Sequence, residues 1–532
     1  MADAPGPQGP EQAACIATGE RLLTLPRQLS GMLCDYLEGQ QDRSKPTVKL
    51  ATPDELAAAF AERGTPVSLG RGCAAPRADG GASDELQEPT DEAHLISSCE
   101  AVLEYSVRTS HPHFMNQLYG RVDSSSVAGE WMSTVLNTNS HTFEVAPVNT
   151  LLEDAVLRKM ATIVGGGFAE AHDGLLVPGG SIANLYAMHL ARAAADPDQV
   201  RLGANRPGAP RLCCFTTDES HYSYLKAARL IGVGGDNLRL VPCDAQSRMD
   251  PAALDAAIVA AKAEGFTPFF CGVTAGTTVF GVFDPFGAVA DVCAKHGVWC
   301  HVDAAWGGAI MLSAKHRAAY MGGVEKVDSI AWNPHKTMGA ALQCSALLTR
   351  RVGFLTQVNA TRAAYLFQPD KENTELDVGD KTIQCGRKTD AIKLWLQWKA
   401  LGDEGLRARM DHCMDIAAYW TERMMAAAPE AGEGAWVMAH EPSYINVNFW
   451  YVPPSMRPFD IATATQEQRD RLHAVAPAIK AEMQRTGGAL VGFQSLRGLP
   501  NFFRLVLPNA WSVTYEDVNH ILRTFDAAGK AM

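Results

Sequence analysis

A lysine follows a histidine in the stretch IAWNPHKTMGA, residues 330–340. The apolar run Ile330–Trp332 stops at Asn333-Pro334, because proline and the residue before it leave regular structure. His335 and Lys336 therefore fall at the mouth of a strand. A lysine partly stripped of water loses proton affinity and becomes an amine nucleophile that forms Schiff bases with carbonyls. The other reading is a lysine whose stem snorkels to the surface.

Two more stretches carry complementary chemistry. PGGSIANLYAM, 178–188, opens a helix with glycines and Ser181. A helix N-terminus offers free N–H groups and partial positive charge, which suit a phosphate. A plain glycine turn would look the same. The stretch is neither GxGxxG nor GxxxxGK[ST], so it gives no support to a dinucleotide or nucleoside triphosphate site. In HVDAAWGG, 301–308, His301 and Asp303 lie two apart and face the same way on a strand. An acidic residue at the carboxyl end of a central strand takes the ligand position of an open α/β sheet. The small residues around it, Ala304, Ala305, Gly307 and Gly308, admit a flat group. A structural aspartate and a His-x-Asp metal pair are the alternatives. Further ligands at metal-site spacing are missing from the sequence, so no metal is expected.

The elements that must position these residues follow from periodicity. RLCCF (211–215), PFFCGVT (268–274), VWCHVD (298–303) and SALLT (345–349) are short apolar runs separated by helical stretches. One of these, DPFGAVADVCAKHG (284–297), has Ala288, Val292 and Ala294 as core candidates and Gly297 as its stop. Buried strands alternating with helices indicate an α/β domain with a mainly parallel sheet. Farther on, YINVNFWYV (444–452) alternates Ile445, Val447, Phe449 and Tyr451 with Asn446 and Asn448, the pattern of a half-exposed antiparallel strand. The last helix starts near Thr514, with Asp517 as a capping-box variant and a stripe of Val518, Ile521, Leu522 and Phe525. The expected division is a disordered tail over 1–45, in which 22–37 could form one amphipathic helix; a helical segment over 46–115 with an exposed loop at 70–89; a large domain over 116–392; and a small α+β domain over 393–532.

The chain has 532 residues and a formal net charge of -12, a poor match to nucleic acid or an anionic membrane. No apolar run approaches the roughly 20 residues of a membrane helix. Its 13 cysteines are scattered without CxxC pairs and read as reduced thiols of a cytoplasmic protein.

A phosphate-binding helix start, a strand-end aspartate and a downstream lysine together fit pyridoxal 5'-phosphate (PLP): the lysine carries the cofactor aldehyde and the carboxylate keeps the ring nitrogen protonated. From about residue 95 onward, ordered stretches such as HPHFMNQL, NTNSHTFEVAPV, PGGSIANLYAM, TAGTTVFGVFDP, HVDAAWGG, WNPHK, LQCSALL, YLFQPDK, GDKTIQCGR and NFFR resemble the group II PLP-dependent decarboxylases, in the branch that holds glutamate and cysteine sulfinate decarboxylases. The resemblance implies the aspartate aminotransferase-like PLP fold type I. It implies a homodimer with the active site at the interface, which the N-terminal helices join. It makes Lys336 the cofactor lysine and Asp303 the partner of the ring nitrogen. Ala305 lies against the ring and His221 stacks on its other face. Gly180, Ser181, Asn333 and His335 approach the phosphate, with Thr278 close by. Arg504 would bind the substrate's α-carboxylate, and Gln117 lies in the substrate pocket. Tyr365, on a loop one residue shorter than usual, would cover the partner subunit's site and protonate the substrate's α-carbon after CO2 leaves.

The implied reaction is α-decarboxylation of a small acidic L-amino acid. Tyr119 resembles the aromatic residue of the cysteine sulfinate and aspartate enzymes, and a ring there shortens the pocket. Asn139 instead matches the glutamate enzymes. His141 matches neither, and reads as a positive group near the substrate acid or as a hydrogen-bonded core histidine. The expectation is cysteine sulfinate or aspartate as substrate, giving hypotaurine or β-alanine. Glutamate giving GABA is the alternative, and an inactive PLP-fold scaffold is a remote one.

Overall fold

A computed structural model describes residues 24–67, 90–368, 370–426 and 432–532. The chain forms two compact units, residues 1–114 with 481–490, and residues 115–480 with 491–532.

The first unit contains helices α1 (Thr24–Gly39), α2 (Pro53–Glu62) and α3 (Glu92–Tyr105). A capping box starts α2: the Thr52 hydroxyl accepts the Glu55 N–H at 3.3 Å, and the Glu55 carboxylate accepts the Thr52 N–H at 2.7 Å. The amphipathic helix expected at 22–37 forms as α1, so the tail expected over 1–45 does not hold for residues 24–39. Leu25, Leu29, Leu33 and Tyr36 recur at helical spacing and form its half-buried stripe. Residues 1–23 of that tail, and the loop expected at 70–89, lie outside the described residues.

The second unit is built on a seven-stranded sheet. Its strands are β1 (Asp173–Val177), β2 (Leu212–Thr216), β3 (Leu238–Leu240), β4 (Thr267–Thr274), β5 (Trp299–Ala304), β6 (Ser329–Trp332) and β7 (Ser345–Thr349). Their order is β1-β7-β6-β5-β4-β2-β3, and only β7 runs against the rest. The strands are short, and those in the middle are buried on both faces, as helix-covered parallel sheets require. The longer helices of this unit are α4 (Ser124–Leu136), α5 (Pro147–Val164), α6 (Gly180–Ala195), α7 (Ser223–Leu230), α8 (Pro251–Ala263) and α9 (Phe286–His296), then α10 (Ala391–Met425), α11 (Gln466–Thr486), whose residues from 481 on count with the first unit, and α12 (Tyr515–Lys530).

Helix α9 ends at Gly297 in the left-handed conformation, φ 70°. It buries Phe286, Val289, Ala290 and Cys293, not the expected Ala288 and Ala294, which are exposed. The face with the large ring at position 286 is the one that turns to the core. Helix α12 carries the full capping box and buries its whole predicted stripe.

An antiparallel sheet follows, with β8 (Trp436–Met438), β9 (Asn446–Tyr451), β10 (Leu490–Gln494) and β11 (Phe502–Val506); β9 pairs with β8 and β11, and β11 with β10. The expectation of a half-exposed β9 is corrected, since all six residues are buried. Asn446 Oδ1 accepts the Trp306 indole N–H at 2.8 Å and its Nδ2 donates to the Val279 carbonyl at 2.9 Å. The polar face is thus covered by the loops after β4 and β5. The boundary expected at 393 falls inside α10, a 35-residue element bent at Gly402 (φ 64°). This helix packs on α4 and α5 as well as on β9 and α12, so the C-terminal segment shares a core with what precedes it.

Candidate active site

The register of the parallel strands gathers the site. Thr274 pairs with Asp303, Asp303 with Ala331 and Ala304 with Trp332. Thr274, Asp303 and Asn333 therefore end on one edge, the carboxyl edge at which open α/β sheets bind ligands. After β6 the chain turns at Pro334, and the Lys336 N–H donates to the Asn333 carbonyl at 3.1 Å. On the facing side α6 begins at Gly180, behind Gly179 at φ 105°. A Cβ at position 180 would lie 3.0 Å from Asn333 Nδ2 and 3.1 Å from the Ala305 methyl. Glycine is what lets the helix start approach the strand ends.

These elements enclose a cavity of about 200 Å³. Asp303 is buried in its wall, and its carboxylate accepts N–H groups from Asn184 Nδ2 (2.7 Å) and the Ala305 backbone (3.0 Å). Burial lowers the proton affinity of the Lys336 ammonium, and Asp303 partly opposes that shift. Burial also lowers the proton affinity of His221; Asp303 again opposes, while Lys336 and Lys226 add to the effect.

Eight expected residues come together here: Gly180, Ser181, His221, Thr278, Asp303, Ala305, Asn333 and Lys336. Tyr222, Thr274, Gly276 and Trp306 also line the cavity and were not foreseen. Trp306 lay within a quoted motif, and Thr274 is the last residue of a strand, both readable signals. His335 does not line the cavity. Its Nδ1 lies 2.6 Å from the Cys344 carbonyl oxygen, tying the turn to the start of β7.

The expected substrate residues sit apart from this cavity in the single chain. Asn139 Nδ2 donates to the Cys385 carbonyl at 3.0 Å, and its Oδ1 accepts the Arg387 N–H at 2.7 Å. His141 is buried against Gly379 and the Phe367 ring. Gln117 and Tyr119 are exposed, and Tyr365 is 80% exposed. Arg504, on β11, donates to the Asn116 carbonyl at 2.9 Å and faces Asn448 across the strand pair.

The cavity fits a flat anionic aldehyde. Asn333 Oδ1 and Thr274 Oγ1 are buried and find no hydrogen-bond partner among the described residues. The Gly180 cradle is closed to any larger residue, and a carboxylate and a desolvated amine share the remaining wall. Among the described residues, no group of three or more His, Cys, Asp or Glu could hold a metal ion.

A mixed α/β sheet with these groups at its carboxyl edge defines a PLP enzyme of fold type I. Residues 80–452 match the family described as "Pyridoxal-dependent decarboxylase conserved domain", and the chain belongs to that family. It is 43% identical over 441 residues to human cysteine sulfinic acid decarboxylase, covering 82% of this chain and 86% of that protein. The crystal structure of mouse CSAD superposes with a TM-score of 0.86 at 37% identity, covering 96% of this chain and 99% of that one. Oryza sativa TDC, solved with PLP and tryptamine, shares the fold at TM-score 0.79 and 22% identity, covering 96% and 98% of the two chains. The chain is accordingly a carboxy-lyase whose cofactor is PLP and whose substrate is an amino acid. Among the described residues no helix is long and apolar enough to cross a membrane.

Proposed function

We propose that this enzyme removes the α-carboxyl group of cysteine sulfinate, and of aspartate as a second three-carbon acid, giving hypotaurine or β-alanine and CO2. The observation that carries this reading is the 43% identity to human cysteine sulfinic acid decarboxylase, spread over 82% of the chain. Tyr119 supports it by its bulk. Asn139, the residue that matched glutamate enzymes, is engaged with the backbone at Cys385 and Arg387, so it serves as a structural tie.

When bound, PLP supplies an electron-accepting ring for the pair left behind as CO2 departs. Lys336 offers its desolvated amine to the cofactor aldehyde. Asp303 holds a proton at the ring nitrogen by its opposite charge. Gly180, Ser181 and Asn333 would offer hydrogen-bonding groups to the phosphate, and Ala305 and His221 would hold the ring between them. Thr278 stands beside them. Arg504 binds the substrate's α-carboxylate with its planar fork, and Gln117 borders the substrate. Tyr365 returns the proton to the α-carbon as a general acid.

The active unit in this reading is a homodimer whose loops cover each other's sites. Met132, Val135 and Leu136 on α4, and Val148 and Leu151 on α5, are exposed apolar side chains that a second copy would cover. The exposed Tyr365 suits a group that works in a neighbouring subunit. A cytoplasmic location belongs to the same reading, supported by free thiols at every described cysteine.

The test is incubation of the purified holoenzyme with cysteine sulfinate, aspartate and glutamate separately, with CO2 and amine measured. Preference for either three-carbon acid is expected. Preference for glutamate overturns the substrate assignment and makes the enzyme a GABA producer.

A further inference from the structure

We infer that Asn184 is a positioning residue: it holds Asp303 directly and, through Ser223, fixes His221 with its ring proton on Nε2. This rests on the roles proposed above for Asp303 and His221.

Asn184 lies one turn into α6 and is fully buried. Its Nδ2 stands 2.7 Å from Asp303 Oδ2 and 2.9 Å from Ser223 Oγ, and its Oδ1 stands 2.9 Å from His301 Nε2. An ionised carboxylate only accepts hydrogen bonds, so the amide nitrogen, and not the oxygen, must face Asp303. Both amide N–H groups are then committed, one to Asp303 and one to Ser223. The amide oxygen needs a donor, which His301 Nε2–H supplies.

The far end of the chain closes consistently. His301 is buried and neutral, its proton affinity pushed down to about 4 by desolvation. With its proton on Nε2, its Nδ1 must accept, and the Ser329 hydroxyl donates to it at 2.8 Å. Ser329 in turn accepts the Trp299 indole N–H at 2.8 Å. An indole nitrogen can only donate, and the Ser329 oxygen accepts it on a free lone pair, consistent with the directions set from the Asp303 end.

The near end reaches the cofactor side. Ser223 Oγ, already accepting from Asn184, donates its own proton to His221 Nδ1 at 2.9 Å. The Ser223 backbone N–H faces the same nitrogen at 3.3 Å. His221 therefore carries its proton on Nε2. A second proton at Nδ1 would face the Ser223 backbone N–H, which can only donate, and would turn the Ser223 hydroxyl proton away. The charged groups acting on His221 are Asp303, which favours the imidazolium, and Lys336 and Lys226, which oppose it; the Tyr222 ring lies alongside at 4.2 Å between centroids. Asn184 thus couples the group proposed for the ring nitrogen, Asp303, to the group proposed for the ring face, His221.

Two variants of the full-length holoenzyme test this. Ser223→Ala removes the donor to His221 Nδ1 and leaves the packing almost intact. Its acid limb in the pH profile of kcat/KM should move up by about 0.5–1 pH unit, the worth of one hydrogen bond. Asn184→Leu keeps the volume and removes the amide. PLP should leave that holoenzyme about tenfold faster or more, followed by loss of the visible cofactor band in excess aldehyde scavenger. An unmoved acid limb in Ser223→Ala overturns the inference, also when Asn184→Leu does not fold. Parental PLP retention in a folded Asn184→Leu overturns it as well. A parent enzyme that binds no PLP would instead overturn the reading of the site itself.

Discussion

His141 lies beneath Gly379. Its carbonyl oxygen accepts the N–H groups of Val378 (3.1 Å) and Gly379 (2.8 Å), and its ring fills the space where a side chain at 379 would begin. The Phe367 ring rests on it at 5.2 Å between centroids. Asp377 accepts the Phe143 N–H at 2.8 Å, and Lys371 pairs with Glu144. The segment 139–144 is therefore the dock for the loop that carries Tyr365. Gly379→Ala would force a methyl into the imidazole. It should cost about 1–3 kcal/mol by overpacking, and slow turnover more than it weakens substrate binding. Thermal unfolding and a kcat–KM split measure both. In His141→Ala/Gly379→Ala the space is restored, so the double variant should unfold at a higher temperature than Gly379→Ala alone.

The Tyr119 gate has its own test. Tyr119→Ser should raise the rate on glutamate relative to aspartate by roughly tenfold or more, the scale of a pocket gaining room for one methylene. The ratio of kcat/KM values for the two acids reads it directly. An unchanged ratio would remove Tyr119 as the specificity determinant.

Acid should destabilise this protein in a defined window. Burial holds His301 and His335 at about 4, below the ordinary 6.5 of an unfolded histidine. Between those values the unfolded chain binds protons that the folded chain refuses, so stability rises with pH across the window. It is complete above pH 6.5 and is lost as pH falls to about 4. Each histidine contributes as much as ~3 kcal/mol to that loss. The denaturant midpoint at pH 5 should lie clearly below that at pH 7.

The proposed sharing of sites between subunits predicts complementation. Lys336→Ala should abolish the visible cofactor band and CO2 release, and Tyr365→Phe should retain the band and lose turnover. If Tyr365 serves the partner's site, co-expressing the two variants gives heterodimers with one intact site. Random pairing should then restore about a quarter of parental activity. No recovery from co-purified heterodimers would place Tyr365 in its own subunit's site.

Local chemistry alone made the heart of this site legible. The proline after Asn333, the glycines before Ser181 and the small residues after Asp303 each dictate a backbone at a strand or helix end, and those ends are where a parallel sheet puts its ligand. The buried runs at 211–215, 268–274, 298–303 and 345–349 became strands β2, β4, β5 and β7 because short apolar runs between helices have one way to bury both faces. Asn184 was hidden in a quoted motif. A polar residue among Ala183, Tyr186 and Ala187 on a buried face was its only sequence signal. Tertiary packing decided the rest. Asn446 looked solvated until the loop at Trp306 covered it, and His335 turned to Cys344 because β7 runs back beside β6. The face of α9 that turned inward was settled by Phe286. Such outcomes depend on contacts between segments far apart in the chain, whose distance and direction no local pattern carries.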